Sequence, residues 1–303
     1  MNAPLTLRIA LLLTLPPLLW AGNAVVGRLA VGMAPPVGLN FARWAIAALL
    51  LWPLGRQALA DRAALRQRWP YLTLLGVLGM GSYNALQYLA LHTSTPLNVT
   101  LIAASMPVWM LLFGVLLHRQ WPRRQDFWGA GLSMAGVALV LLQGDPSRLF
   151  SLRFVPGDLL MLLAIMSWAL YSWLLARPPA HMQGDQRPDW DWAGFLMVQI
   201  VFGLGFCGLT AAAEAAVSEA AWHWSPALVA VLAYVAIGPS LIAYRAWGLG
   251  VATVGPAVAA FFGNLTPLFA AVLSAALLGV WPQWFHIAAF VLIIAGIVVS
   301  SRR

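Results

Sequence analysis

Residues 93–137 read TSTPLNVTLIAASMPVWMLLFGVLLHRQWPRRQDFWGAGLSMAGV, and residues 253–297 read TVGPAVAAFFGNLTPLFAAVLSAALLGVWPQWFHIAAFVLIIAGI. Laid over each other at a shift of 160 without a gap, Thr93 meets Thr253, Pro96 meets Pro256 and Pro107 meets Pro267. Trp121-Pro122 meets Trp281-Pro282, Leu132 meets Leu292, and Ala135-Gly136 meets Ala295-Gly296. Shared Leu and Ala mean little between two apolar stretches, whereas prolines and a Trp-Pro pair in one register mark an internal repeat. A fainter echo sets Trp20-Ala21 against Trp168-Ala169 at a shift of 148.

Outward from the repeat, the 303 residues are 62% hydrophobic and only 9% charged. Soluble domains carry roughly 25% charged residues, so an ordinary soluble enzyme, a disordered chain and a nucleic-acid-binding protein are all excluded. The net charge of +8 does not require a polyanion, because the 17 basic residues are all Arg and fall in clusters between apolar runs. That is how membrane topology is written. The single cysteine, Cys207, lies inside an apolar run, which leaves no intrachain disulfide and no thiolate metal cage. A helix needs about 20 mostly apolar residues to cross the hydrocarbon core. Ten runs qualify, near 9–27, 37–55, 71–91, 97–117, 127–143, 157–176, 193–213, 226–247, 256–278 and 283–300. The first imitates a secretory signal peptide, with Arg8 before it and Ala21-Gly22-Asn23-Ala24 near its end. It is read as an uncleaved helix, since cleavage would leave an odd number of spans and break the repeat.

With the N-terminus in the cytoplasm, thirteen Arg residues fall in inner loops or at inner helix ends, against Arg28, Arg148 and Arg153 outside. The asymmetry orients the chain with both termini cytoplasmic. Each repeat holds five spans, residues 8–143 and 157–301. An odd number makes the second copy enter the membrane from the opposite face. The expected fold is therefore an all-α polytopic membrane protein of ten transmembrane helices in two inverted five-helix repeats. Inverted repeats give two interconvertible shapes and hence alternating access about a midplane site.

The order of several short motifs then becomes recognisable. They are Leu19-Trp20-Ala21-Gly22-Asn23 closing the first span, Pro35 to Arg43 entering the second, and Ser105-Met106-Pro107 with Leu265-Thr266-Pro267 in spans four and nine. With Ala135-Gly136 and Ala295-Gly296 in spans five and ten, the chain from about Arg8 to Ser301 resembles the EamA-type branch of the drug/metabolite transporter superfamily. The resemblance implies a five-plus-five layout, a central cavity lined by spans one, three, four, six, eight and nine, and export of amino acids or related metabolites. One departure is plain. That branch often has an acidic residue just after spans four and nine, where this chain reads His118-Arg119-Gln120-Trp121-Pro122 and Leu278-Gly279-Val280-Trp281-Pro282.

Charge inside a span is the sharpest functional pointer, because Arg at a helix centre costs at least about 2.5–3.5 kcal/mol on insertion scales. Arg43 lies some six residues into the second span, roughly 9 Å below its outer end. It either faces the cavity and pairs with a carboxylate, or snorkels and pins neighbouring carbonyls. Trp20, Asn23, Tyr83, Gln87, Asn98, Trp168, Tyr171, Tyr244 and Asn264 join it as candidate substrate-binding residues. Polar and aromatic groups at such depth either orient a solute or tie helices together at about 0.6 kcal/mol each. Pro107, Pro239 and Pro267 free backbone carbonyls in mid-span and are candidate hinges or static kinks. Gly255, Ala259 and Gly263 form a small-residue stripe expected to pack against another helix.

Other patterns carry nothing. Gly203-Leu204-Gly205-Phe206-Cys207-Gly208 fits G-x-G-x-x-G but lies inside an apolar span. The sequons at Asn98 and Asn264 read as membrane-buried, and the five His are scattered near run ends, so neither cofactor nor metal is expected. No Asp or Glu reads as mid-span, with Asp158 and Glu214 at outer ends, so no buried carboxylate relay is expected. The expectation is a secondary transporter, not an enzyme, in a bacterial inner membrane. Its partners are a small organic solute and the lipid bilayer, without nucleic acid, and a homodimer is left open. A channel, or a membrane-embedded enzyme or scaffold, is the alternative.

Overall fold

The computed structural model describes residues 4–30, 32–90, 93–94, 96–151, 153–278, 281 and 283–301. The expected break at Leu91–Pro96, the Trp281-Pro282 pair, and Arg302 and Arg303 lie wholly or partly outside them. Among the described residues there is no strand. Helices α1 (Leu7–Leu29) and α2 (Pro36–Ala60) are followed by α3 (Arg62–Gly76) and α4 (Tyr83–Ala90), joined by a π-helical segment, Val77–Ser82. Next come α5 (Pro96–Ala103), α6 (Met106–His118) and α7 (Arg124–Leu141). The second half holds α8 (Pro156–Ala176), α9 (Trp192–Val217), and α10 (Pro226–Val235) with α11 (Ala243–Val254) joined by a second π segment, Ala236–Ile242. It ends with α12 (Pro256–Gly263), α13 (Thr266–Leu278) and α14 (Trp284–Ser301).

Among the described residues, seven stretches have the length and hydropathy to cross a membrane: Pro36–Ala60, Asn98–His118, Pro156–Ala176, Trp192–Val217, Pro226–Val254, Pro256–Leu273 and Trp284–Ser301. Leu7–Asn23 is a shorter apolar helix. The third and fifth expected spans fall outside this set. The helical path of the third begins with Arg62, Arg66 and Arg68, and that of the fifth with Arg124 and Asp126.

Proline and capping chemistry set most of the boundaries. Spans four and nine, read as continuous, are each interrupted for two residues, Ala104-Ser105 and Asn264-Leu265. The helices before the gaps end at Ala103 and Gly263, four residues before Pro107 and Pro267. Proline has no N–H for the carbonyl four residues back and its ring clashes there. At the second position of α6 and α13 it costs nothing, because first-turn N–H groups have no helical partner anyway. Gly255 separates α11 from α12 with φ of 89°, so it is a chain break rather than part of a packing face. A side chain rarely tolerates that geometry. Asp61, Asp191 and Ser225 cap α3, α9 and α10 by accepting from Ala64 N, Gly194 N and Leu228 N.

The elements recur as the sequence does. Helices α12, α13 and α14 begin and end 160 residues after α5, α6 and α7. Packing follows the same rule. Helix α7 lies along α14 and α2 along α9, while α4 contacts α8 as α11 contacts α1. A Cβ at Gly129 would stand 2.9 Å from Gly296 O, and one at Gly136 would stand 2.9 Å from Ala289 O. Since 296 is 136 shifted by 160 and 289 is 129 so shifted, the two contacts exchange, as across a two-fold axis. Small residues let these backbones approach closely without a hydrophobic drive between helices.

Candidate transport route

A cavity of about 440 Å³ opens beside the loop between α8 and α9 and runs inward between α3, α8, α9 and α11. The loop is built, not loose. Arg68, buried on α3, donates from Nε to His181 O at 2.9 Å and from Nη2 to Gln186 O at 2.6 Å. Two 3₁₀ turns, Ala180–Met182 and Gly184–Gln186, then present Met182, Arg187 and Trp190 to the cavity mouth. Across the mouth, Arg245 lies 5.1 Å from the centre of the Trp192 ring, a cation–π contact.

Inward, the walls become aromatic and fixed. Tyr171 OH donates to Gln199 Oε1 at 3.0 Å, and Gln199 Nε2 donates to Phe195 O at 3.2 Å. Tyr244 OH donates to Gly79 O in the first π segment. A π turn leaves carbonyls outside the regular ladder, and its neighbours use them. Leu78 O accepts from Ser167 Oγ at 3.0 Å, and Met80 O from Asn40 Nδ2 at 3.2 Å. Gly79 has a steric role as well, since the Tyr171 ring occupies the space of a Cβ there.

Beyond Tyr171 and Tyr244 stands Trp168, the hub of an aromatic cluster. Its ring centre lies 5.2 Å from Tyr171, 5.3 Å from Tyr244 and Trp20, 5.5 Å from Tyr83 and 5.6 Å from Trp247. Trp247 Nε1 donates to Ser172 Oγ at 3.0 Å, and Trp20 Nε1 to Pro239 O at 3.4 Å. Such ring pairs add about 0.5–1.5 kcal/mol each beyond burial, so the cluster is a firm inner end to the cavity. Trp44 extends it, 4.9 Å from Tyr244, and Arg43 lies against Trp44.

Side-chain and backbone bonds also tie the helices together at the other end. Glu214, near the far end of α9 from Trp192, accepts from Val37 N at 3.1 Å and Gly38 N at 2.7 Å. It thereby caps α2, whose own preceding residue, Pro35, cannot. His223 N donates to Met33 O at 2.8 Å beside the stacked pair Trp222 and Trp224. Asp158 is 2% exposed and fully engaged: it accepts from Ser94 Oγ, Asn98 Nδ2 and Val155 N at the start of α8.

Of the residues singled out from sequence, Tyr171 and Tyr244 line the cavity and Trp20, Tyr83 and Trp168 form the cluster behind them. Arg43 is buried next to that cluster. Asn98 is bonded to Asp158 Oδ2 and Arg153 O, both at 3.0 Å. Asn264 donates to Ser133 Oγ at 2.8 Å and Ala104 O at 3.4 Å, joining the two helix gaps. Asn23 and Gln87 are half-buried, away from the cavity lining. Pro107 and Pro267 open the half-helices after the gaps, and Pro239 sits within the second π segment. The sequence reading missed Gln199 and Tyr71 in the cavity wall. Gln199 had a signal, as the one amide in the otherwise apolar stretch of α9.

The chain is similar to several known transporters. A transporter of Archaeoglobus fulgidus with no assigned solute is 27% identical over 297 residues, covering 97% of each chain. The transporter YyaM of Bacillus subtilis, likewise without an assigned solute, is 24% identical over 243 residues, covering 79% of this chain and 75% of its own. The aromatic amino acid exporter YddG of Ancylobacter novellus is 26% identical over 237 residues, covering 77% and 76%. A solved crystal structure superposes with a TM-score of 0.75 at 23% identity, covering 96% of both chains, and so shares the fold. The profile of the EamA-like transporter family matches residues 7–142 and 155–302, nearly the whole chain. This multi-pass membrane protein belongs to the EamA-like transporter family, whose members carry small solutes and are not enzymes.

Proposed function

We propose that the protein exports an aromatic or similarly sized amino acid by alternating access. The single observation that carries the reading is a cavity open at one end, closed inward by an aromatic cluster, in a molecule whose other end is tied by Glu214. That is the form of a carrier caught facing one side. The aromatic walls suit a ring-bearing solute, the class that the Ancylobacter relative, an aromatic amino acid exporter, carries. The recurrence at 160 residues and the exchanged glycine contacts support two inverted five-helix repeats, 8–143 and 157–301, crossing the membrane ten times in all. The arginine census supports cytoplasmic termini in a bacterial inner membrane, so that the open cavity faces the cytoplasm, as an exporter requires. In this reading Trp20, Tyr83, Trp168, Tyr171 and Tyr244 meet the solute. Pro107, Pro239 and Pro267 mark where the helices bend, and Asn98 and Asn264 act as ties.

Counterflow in proteoliposomes tests it. Labelled L-tryptophan should enter vesicles preloaded with unlabelled L-tryptophan faster than empty ones, and the initial rate should saturate. Flux that rises linearly with concentration and ignores the preload would make the protein a channel instead.

A further inference from the structure

We infer that Arg43 is the residue that recognises the solute's carboxylate, with Ser240 holding its guanidinium in position. The inference rests on the aromatic-solute reading above and adds to it a specific charge requirement. Arg43 is 2% exposed, so its cation has left water. The ion pair found among the described residues, Arg148 with Asp145 at 3.9 Å, is elsewhere, at the surface. Arg43 Nε donates to Ser240 Oγ at 2.8 Å, and Cζ lies 5.2 Å from the centre of the Trp44 ring. Nη1 has no partner at all. A buried cation with an unmet donor costs several kcal/mol, and such a group in a membrane span marks a solute pathway by default.

The deficit extends to its neighbours. Trp44 Nε1 is a buried donor without an acceptor, and Asn40 Oδ1, one turn before Arg43, is a buried acceptor without a donor. Two unmet donors and one unmet oxygen on one stretch of α2 complement a carboxylate that has an N–H group beside it. The open cavity does not yet reach them. The Tyr244 ring forms part of its wall, with Trp44 4.9 Å behind, so a solute reaches Arg43 only when Tyr244 swings aside.

Ser240 Oγ accepts from Arg43 Nε and donates to Val235 O at 2.7 Å, which fixes the guanidinium against the second π segment. A carboxylate prefers two parallel bonds from a guanidinium, and the fork that contains the free Nη1 is Nη1 with Nη2, so the solute can bind while Nε stays on Ser240.

Three probes separate the carboxylate from the rest of the solute: L-tryptophan, indole-3-propionate, which keeps only the carboxylate, and tryptamine, which keeps only the amine. Each competes with labelled L-tryptophan in counterflow. Arg43→Gln should raise the half-inhibiting concentrations of tryptophan and indole-3-propionate about tenfold or more and leave that of tryptamine within about twofold. Arg43→Lys, which keeps the charge and loses the fork, should show the same selectivity at smaller size. Ser240→Ala, which loosens the guanidinium, should raise the half-inhibiting concentrations of tryptophan and indole-3-propionate about threefold and spare tryptamine, and Ser240→Thr should restore them. Equal shifts for all three probes in both Arg43 variants would reduce Arg43 to a helix tie and overturn the inference. A wild-type protein that transports tryptophan poorly and is inhibited by none of the probes overturns the aromatic-solute reading instead.

Discussion

The two π segments occupy matching places in the two halves, Val77–Ser82 before α4 and Ala236–Ile242 before α11, yet they are held very differently. Three successive carbonyls of the first, Leu78, Gly79 and Met80, accept side chains from α8, α11 and α2. Its glycines are covered by rings, Gly79 by Tyr171 and Gly81 by Phe206. The second is braced by its own Ser240, by Arg43 and by a long bond from Trp20 to Pro239 O. Pro239 adds no N–H to the ladder. The first segment is clamped through its carbonyls by three helices, whereas the second is held by one long carbonyl bond and by its own serine, itself tied to Arg43. In the proposed alternating access, that difference makes the α10–α11 half the joint and the α3–α4 half the fulcrum.

The largest test of that contrast is a matched pair of glycine substitutions. A Cβ at Gly79 would stand 2.6 Å from the Tyr171 ring, which is itself pinned by Gln199 and Trp168. Gly79→Ala should therefore cost about 1–3 kcal/mol, the usual range for overpacking, seen as a lower melting temperature in detergent. At Gly238 the nearest atom is Leu19 Cδ2 at 3.2 Å, the flexible end of a side chain. Gly238→Ala should be near neutral, since a small shift of Leu19 is offset by up to about 1 kcal/mol of helix propensity. Equal losses in the two variants would erase the distinction between fulcrum and joint.

A middle-sized effect should come from the hydroxyl that spans the halves. Tyr244→Phe leaves Gly79 O buried without its donor and should cost about 1 kcal/mol or more. Thermal unfolding against the wild type under one detergent condition checks it, and an unchanged midpoint would mean that Gly79 O is not anchored through Tyr244.

The sequence made much of this legible and hid the rest for definable reasons. Pro107 and Pro267 in one register gave away the repeat, because proline changes the backbone wherever it stands. The same logic missed the two-residue gaps, since what ends is the helix four residues upstream, at Ala103 and Gly263. Neither π segment is visible in VLGMGS or AIGPSLI, because one wider turn leaves the apolar pattern intact. Trp168 and Tyr171 stand out in the sequence as aromatic groups at depth. Asn98 and Asn264 stand out in the same way, and only the structure shows their partners, Asp158 and Arg153 O for one and Ser133 and Ala104 O for the other. Gln199 and Tyr71 were missed because a cavity wall assembled from α3, α8, α9 and α11 has no local signature.

The smallest expected change in stability is also the one that asks most directly whether the second segment moves. Pro239→Ala supplies an N–H that can reach the carbonyl four residues back, Val235 O, which Ser240 Oγ now occupies. The new bond favours a regular helix over the π turn while the loss of proline frees the unfolded chain, so stability should change by less than about 1 kcal/mol. Straightening the joint should slow the maximal counterflow rate severalfold while half-saturation changes little, because Pro239 lines neither the cavity nor its mouth. An unchanged rate with the π turn gone would place the movement elsewhere. The gaps at Ala104-Ser105 and Asn264-Leu265, which meet through Asn264, would then be the bending point shared by both halves.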